Sequence, residues 1–154
     1  MGALGGNQGA AYGGVNNQGW VTGDANLPGN QTEHGFLWRN GVMTDLGTLG
    51  GLNSGVPIPV KDDKGLIVGG AQTSAVDPLG EFWSAASICE NSTGTKCQGW
   101  QNLGLAFLWQ NGVMTALPTL GGNNGQAFGV NNRARWSGSR RPRFTMPVAF
   151  LPRF

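Results

Sequence analysis

Short apolar runs separated by tight polar turns recur along the chain and predict β-strands. In one example, Phe36-Leu37-Trp38 is separated by Asn40-Gly41 from a second run, Val42-Met43. Asn-Gly between apolar runs is a strong hairpin signal, because a type I′ turn needs positive φ at both central residues. The same pattern recurs over Phe107–Met114, around Asn111-Gly112. We therefore predict two hairpins with two-residue turns.

A two-residue turn also fixes which side chains face each other across each hairpin. Trp38 is predicted to face Met43, and Trp109 to face Met114. Contacts between an aromatic ring and a thioether contribute about 0.3–1.5 kcal/mol each. We assign to the core the large apolar residues of the two hairpins, which are Phe36, Trp38, Met43, Phe107, Trp109 and Met114.

The hairpins belong to a longer internal repeat. Residues Phe36–Gly51 recur as Phe107–Gly122, and 13 of the 16 positions are identical. The stretch after each Leu-Gly-Gly also recurs, since Asn7–Gly23 resembles Asn123–Gly138, and Leu49–Gly69 is a weaker copy. The first and third copies add a second turn, at Asn16-Asn17 and Asn131-Asn132, where Asn side chains can bond their own backbone. Each repeat unit therefore reads as four short antiparallel strands.

The repeat predicts a single all-β domain over 1–154, made of units at about 4–48, 49–119 and 120–154. The second unit carries an insertion at about 71–104, and the third is degenerate and truncated. Four strands in about 45 residues are typical of a propeller blade; a β-sandwich is the alternative. Propellers close with 4 to 8 blades, so about three units leave sheet edges open. We expect self-association through these edges.

Composition removes several classes of protein. With 28 glycines and 8 prolines in 154 residues, long helices are excluded. Six tryptophans and a net charge of +2 argue against disorder. The chain contains no run of 18 apolar residues, so no membrane-spanning helix is predicted. The first residues lack the pattern of a signal peptide.

Acidic and basic residues are unevenly distributed along the chain. All eight acidic residues lie between Asp24 and Glu90, whereas six arginines lie within 133–154. Arginines interleaved with Trp136 and Phe144 could bind phosphates and stack bases. Nucleic-acid binding is therefore one alternative, and a solvated terminus is the plainer interpretation.

The repeated residues resemble the bacterial extracellular HAF-repeat family. Its His-Ala-Phe tripeptide corresponds here to His34-Gly35-Phe36, Leu105-Ala106-Phe107 and Val148-Ala149-Phe150, the first two followed by Leu-Trp and the Asn-Gly-Val-Met-Thr hairpin. The resemblance implies a secreted or envelope-associated repeat protein, propeller-like, with no assigned chemistry. The third unit departs from the family pattern at Arg133, where the turn glycine becomes Ala134.

Candidate catalytic residues are few. His34 is the only histidine, and its position in the repeat is held by Leu105 and Val148, which favours a packing role. Asp45 is likewise replaced by Ala116. Glu33, Glu81 and Glu90 are scattered, and Asp62-Asp63-Lys64-Gly65 aligns with a turn of the first unit. We predict no catalytic residue, no metal site and no cofactor.

The insertion carries the remaining candidate residues. Cys89 and Cys97 flank a polar seven-residue stretch, so a disulfide is plausible and two free thiols are the alternative. Phe82, Trp83 and Trp100 lie outside the repeat. Such aromatic residues either bind sugars or proteins or cover a small core of the insertion.

These observations favour a non-catalytic, secreted-type repeat module that serves as a scaffold or recognition surface and is part of a longer repeat protein. Its ligand would be an unknown protein or carbohydrate, contacted through the insertion. The alternatives are an exported propeller enzyme acting on carbohydrate and, less strongly, a nucleic-acid-binding protein.

Overall fold

A computed structural model of the protein describes residues 3–12, 15–58, 63–79, 101–119 and 121–140. These residues form ten β-strands and no helix, and neighbouring strands within each sheet are antiparallel. The prediction of an all-β chain with four-stranded antiparallel units is confirmed. Whether the units close as a propeller or pack as a sandwich stays a prediction.

The strands form three sheets in chain order. The first sheet contains β1 (Gly9–Ala11), β2 (Val21–Asn26), β3 (Glu33–Arg39) and β4 (Val42–Asp45). The second contains β5 (Gly50–Gly55), β6 (Ile67–Val76), β7 (Asn102–Gln110) and β8 (Val113–Ala116). The third is a pair, β9 (Gly125–Val130) and β10 (Trp136–Arg140).

Both predicted Asn-Gly hairpins are present in the predicted register. Asn40 and Gly41 have φ of 49° and 84°, as a type I′ turn requires. Trp38 pairs with Met43 in the first hairpin, and Trp109 pairs with Met114 in the second.

The second turn of the repeat is an Asx-type turn, in which an Asn side chain bonds the backbone that follows it. Asn16 Oδ1 accepts hydrogen bonds from the N–H groups of Gln18 and Trp20, at 3.0 and 2.9 Å. Asn131 Oδ1 accepts the equivalent bonds from Arg133 and Arg135, at 2.9 and 3.2 Å. The third unit therefore keeps this turn although its sequence departs from the repeat at Arg133.

The departure leaves one strained residue. Ala134 has φ of 56°, where the equivalent turn residues are Gly19 at 77° and Gly65 at 85°. A left-handed conformation costs a residue with a Cβ about 1–2 kcal/mol. We expect Ala134→Gly to raise the free energy of unfolding by about 1 kcal/mol in urea denaturation. Gly19→Ala is the reciprocal control. A Cβ there meets no atom within 4 Å, so any loss of stability comes from the backbone conformation alone. Unchanged stability of both variants would contradict this.

The apolar core lies in two layers, one on each face of the second sheet. One layer combines Leu37 and Leu46 of the first unit with Val56, Ile67 and other residues of the second. The other layer combines residues of the second and third units, which are Leu66, Val68, Ala106, Ala127 and Val130. Because β6 and β7 are covered on both faces, their inner positions are apolar without strict alternation.

Close approach between adjacent strands requires glycine at one position that is equivalent in all three units. These are the equivalent residues Gly23, Gly69 and Gly138, and a Cβ at any of them would overlap the carbonyl oxygen of the preceding strand. That oxygen belongs to Ala10, Gly55 and Gln126 respectively. The glycines of the repeat are therefore required by backbone approach as well as by turns.

Strands β6 and β7 flank the predicted insertion. Residues 71–76 belong to β6 and residues 102–104 to β7, so 77–101 lie between these two strands, and 80–100 of them are outside the described residues. The equivalent connection in the first unit, between β2 and β3, covers only 27–32.

Candidate functional site

The predicted residues of the insertion lie outside the described residues. These are the aromatic residues Phe82, Trp83 and Trp100 and the disulfide candidates Cys89 and Cys97. Their proposed roles stay predictions. Of the predicted arginine cluster, Arg133 and Arg135 are exposed on the turn into β10, and 141–154 are not described.

The predicted core residues of the hairpins lie on β3, β4, β7 and β8. Phe36, Phe107 and Trp109 are buried, whereas Trp38, Met43 and Met114 are half-buried. Phe107 and Trp109 belong to the layer between the first two units, and Met114 packs against it. The turn residues Asn40, Gly41, Asn111 and Gly112 are exposed.

Two acidic residues of the first unit are buried on one face of its sheet. The register places Asp24 opposite Gly35 and Asn26 opposite Glu33, so Asp24 and Glu33 are diagonal neighbours on the same face. Asp24 is 0% exposed and Glu33 is 8% exposed. Val56 N–H donates to Asp24 Oδ1 at 2.6 Å, which ties the carboxylate to the second unit.

Burial changes the ionisation of this acidic pair. It raises the pKa of Asp24 to about 7, while hydrogen bonding to Val56 N–H and Tyr12 acts in the opposite direction. Burial, followed by the negative charge of Asp24, raises the pKa of Glu33 to about 8. Burial together with these two carboxylates also raises the pKa of Tyr12 to about 12. Near neutral pH, the pair therefore holds protons that exposed carboxyls would release.

One atom of the pair lacks a hydrogen-bond partner. Asp24 Oδ2 is buried and accepts no hydrogen bond from any residue that the structure describes. An ionised carboxylate oxygen without a donor costs far more free energy to bury than the same oxygen of a neutral carboxyl. The geometry therefore favours the neutral form of Asp24.

A second polar pair lies on the other face of β3. His34 Nδ1 is 2.9 Å from both oxygens of Asp45. The side chains are 15% and 40% exposed. Although burial acts to raise it, the pKa of Asp45 is lowered by the hydrogen bond with His34 and by Gly47 N–H, which donates at 2.7 Å. The pair holds the imidazole in place and links β3 to the loop after β4.

Sequence reasoning missed both polar pairs. The partners are nine residues apart in the acidic pair and eleven in the His34–Asp45 pair, and only the β2–β3 and β3–β4 registers bring them together. Extending the predicted hairpin register back to His34 and Asp45 would have indicated the second pair. The acidic pair had no comparable signal, since the second unit has Gly70 and Gly104 at the positions of Asp24 and Glu33.

Equivalent asparagines join successive units. Asn53 Oδ1 accepts a hydrogen bond from Glu33 N–H at 3.0 Å, between the second and first units. Asn124 Oδ1 accepts one from Gly104 N–H at 2.9 Å, between the third and second units. Both asparagines are buried and occupy the same position of the repeat, four residues after the leucine of Leu-Gly-Gly. The two inter-unit junctions are therefore built alike.

The turns between the first two strands of each unit are also joined. Asn17 Nδ2 donates to Asp63 Oδ2 at 2.8 Å, and Asp63 N–H donates to Asn132 Oδ1 at 2.9 Å. These three residues are equivalent in the repeat. Asp63 therefore acts in a turn, as the alignment of 62–65 suggested.

No group of three or more potential metal ligands occurs among the described residues. No helix able to cross a membrane is found in the same part of the chain. Comparison with known proteins gives no match to a family model, a curated protein or a solved structure. The resemblance to HAF repeats therefore stays a prediction.

Proposed function

We propose that the chain is a non-catalytic β-repeat module that serves as a scaffold or recognition surface. The observation that supports this is the pair of equivalent junctions, in which Asn53 and Asn124 bond the backbone of the preceding unit. Repeat proteins are stabilised by such nearest-neighbour contacts and present extended surfaces for binding. Following the resemblance to HAF repeats, we place the protein outside the cell or in the cell envelope.

The buried acidic residues fit a structural role better than a catalytic one. Asp24 and Glu33 are 0% and 8% exposed, so a substrate could not reach them without separating the first two units. A general acid must come within hydrogen-bond distance of the group it protonates. Instead, the Asp24 carboxylate accepts Val56 N–H, and the backbone N–H of Glu33 donates to Asn53 Oδ1, both in the neighbouring unit.

One observation supports the alternative of an exported enzyme that acts on carbohydrate. The His34–Asp45 pair is partly exposed and holds an imidazole against a carboxylate, an arrangement that also occurs in general-base catalysis. Asp45 additionally accepts Gly47 N–H, which gives the pair a structural task. We therefore rank the enzyme second.

The partner surface is proposed to lie on the connection between β6 and β7. This connection covers 77–101, against 27–32 for its counterpart in the first unit, and it contains Phe82, Trp83 and Trp100. Aromatic residues on an added segment are suited to sugar or protein ligands. Recognition would then depend on the insertion and scaffolding on the repeats.

Self-association through open sheet edges is also part of this proposal. Strands β4 and β8 are edge strands of the two four-stranded sheets. Their first residues, Val42 and Val113, are exposed apolar side chains. Exposed edge strands favour pairing with another chain.

The proposal is tested with a panel of soluble microbial and plant polysaccharides. We expect the full chain to bind a subset without releasing reducing ends, and Trp83→Ala combined with Trp100→Ala to weaken binding at least about tenfold. Val15→Ser is the control, because Val15 is exposed and lies outside both the insertion and the edge strands, so binding should be unchanged. Reducing ends released by the unmodified chain but not by His34→Ala would contradict the proposal and support the enzyme.

A further inference from the structure

The junction between the first two units contains two buried acidic residues that each bond across it. Asp24 does so through its side chain, which accepts Val56 N–H at 2.6 Å. Glu33 does so through its backbone N–H, which donates to Asn53 Oδ1 at 3.0 Å. Any change in the charge of this pair therefore acts at the contact between the units.

In the part of the chain that the structure describes, no positive charge acts on either carboxyl of the pair. Strand β1 leads to Tyr12, β3 provides Glu33 itself, and β5 has the sequence GGLNSG, without a charged side chain. Among the described residues, no ion pair reaches either carboxylate. Tyr12 bonds the Asp24 side chain, and Asp24 Oδ2 is buried without a hydrogen-bond partner among the described residues. Two negative charges here would be desolvated and repel each other.

The second junction has the same frame but not the acidic pair; its one buried acid, Asp77, has a donor at each oxygen, Asn124 Nδ2 at 2.8 Å and Leu79 N–H at 3.0 Å. Asn124 again accepts a backbone N–H, from Gly104. Gly70 and Gly104 stand where the first unit has Asp24 and Glu33. The second junction is therefore an internal comparison for the first.

We propose that the first junction is a pH-sensitive contact, closed when Asp24 and Glu33 are protonated and loosened when both ionise. The protein would then hold its first two units together most firmly in acidic surroundings. The first unit would separate from the second, exposing the sheet face of the second unit, as the medium becomes alkaline.

The sign of the pH dependence follows from linkage. Burial raises the pKa values of Asp24 and Glu33 to about 7 and about 8, so the folded chain binds more protons than the unfolded chain between about pH 4 and pH 8. The pair contributes its full stabilisation below about pH 4, the ordinary pKa of carboxyls. That contribution is lost as the pH rises through the folded-state pKa values of about 7 and about 8. This is the reverse of acid denaturation by salt-bridged carboxylates.

Urea denaturation of the full chain between pH 5 and pH 9, followed by tryptophan fluorescence, tests the proposal. We expect the unfolding equilibrium constant to rise about tenfold or more across this range. Asp24→Asn combined with Glu33→Gln should flatten the dependence, because both replacements mimic the neutral acids. Ser54→Ala is the matched control: it removes the bond from Gly35 N–H and the bond to Gly47 O at the same junction but no titratable group. It should lower stability at every pH and keep the slope.

A local measurement keeps the test valid if the double variant does not fold. In the unmodified chain, amide exchange corrected for intrinsic rate should show the Glu33 and Val56 amides losing protection above pH 7, while the Gly104 amide keeps it. The proposal is overturned by stability that is constant or rises from pH 5 to 9, or by equal pH dependence at Glu33 and Gly104. Recovery of the pH 5 stability at pH 9 on adding CaCl₂ would also overturn it, since the pair would then be a cation site.

Discussion

Gly69→Ala is expected to destabilise the protein by about 3 kcal/mol or more, enough to remove much of the stability of an ordinary domain. A Cβ at this position would overlap the carbonyl oxygen of Gly55 and lie within 2.8 Å of the Phe107 ring. Neither neighbour can move easily. Gly55 O is part of strand β5, and Phe107 is fully buried in the layer between the first two units.

Gly129→Ala is the control for this substitution. Gly129 also lies within a strand, but the nearest atom to its added Cβ is Ser137 Oγ at 3.5 Å, an ordinary contact. We expect a change within about 0.5 kcal/mol. Urea denaturation at pH 5 compares the two variants, and equal stabilities would show that strands β5 and β6 do not approach as described.

Asn53→Ala and Asn124→Ala are each expected to lower the free energy of unfolding by about 2–3 kcal/mol. Asn53 Oδ1 accepts Glu33 N–H, and its Nδ2 donates to Gln72 Oε1 at 2.8 Å. Asn124 has the same two tasks, with Nδ2 donating to Asp77 Oδ2 at 2.8 Å. Each substitution leaves a buried backbone N–H without its acceptor, which costs about 1–3 kcal/mol before the second bond is counted.

The first unit provides a matched control for these asparagines. Gln8 occupies the equivalent position of the repeat and is exposed. Gln8→Ala should therefore change the free energy of unfolding by less than about 0.5 kcal/mol in the same denaturation series. A loss at Gln8 equal to that at Asn53 would mean that the position matters within a unit and not between units.

Local sequence patterns were sufficient to predict the two hairpins and their registers. Asn40-Gly41 sets both the turn and the pairing of Trp38 with Met43, since all the information lies within six residues. The internal repeat extended this to four-stranded units. The turn before β10 persists with Ala134 in place of glycine, because Asn131 still supplies the acceptor for two backbone N–H groups.

Contacts between units could not be predicted from local sequence patterns. The burial of Asp24 and Glu33 depends on the β2–β3 register and on coverage by β5, none of which is encoded nearby in the chain. Asn53 and Asn124 match in the repeat, but their hydrogen bonds to the preceding unit depend on how sheets stack. The insertion has no repeat partner, so its aromatic and cysteine residues stay predictions from the sequence.

Amide hydrogen exchange at Glu33 and Gly104, in the full chain at pH 5, tests most directly whether equivalent asparagines join successive units. We expect both amides to exchange as slowly as those of strands β6 and β7. Asn53→Ala should speed exchange at Glu33 alone, and Asn124→Ala at Gly104 alone. Rapid exchange of both amides in the unmodified chain, or no response to either substitution, would contradict this expectation.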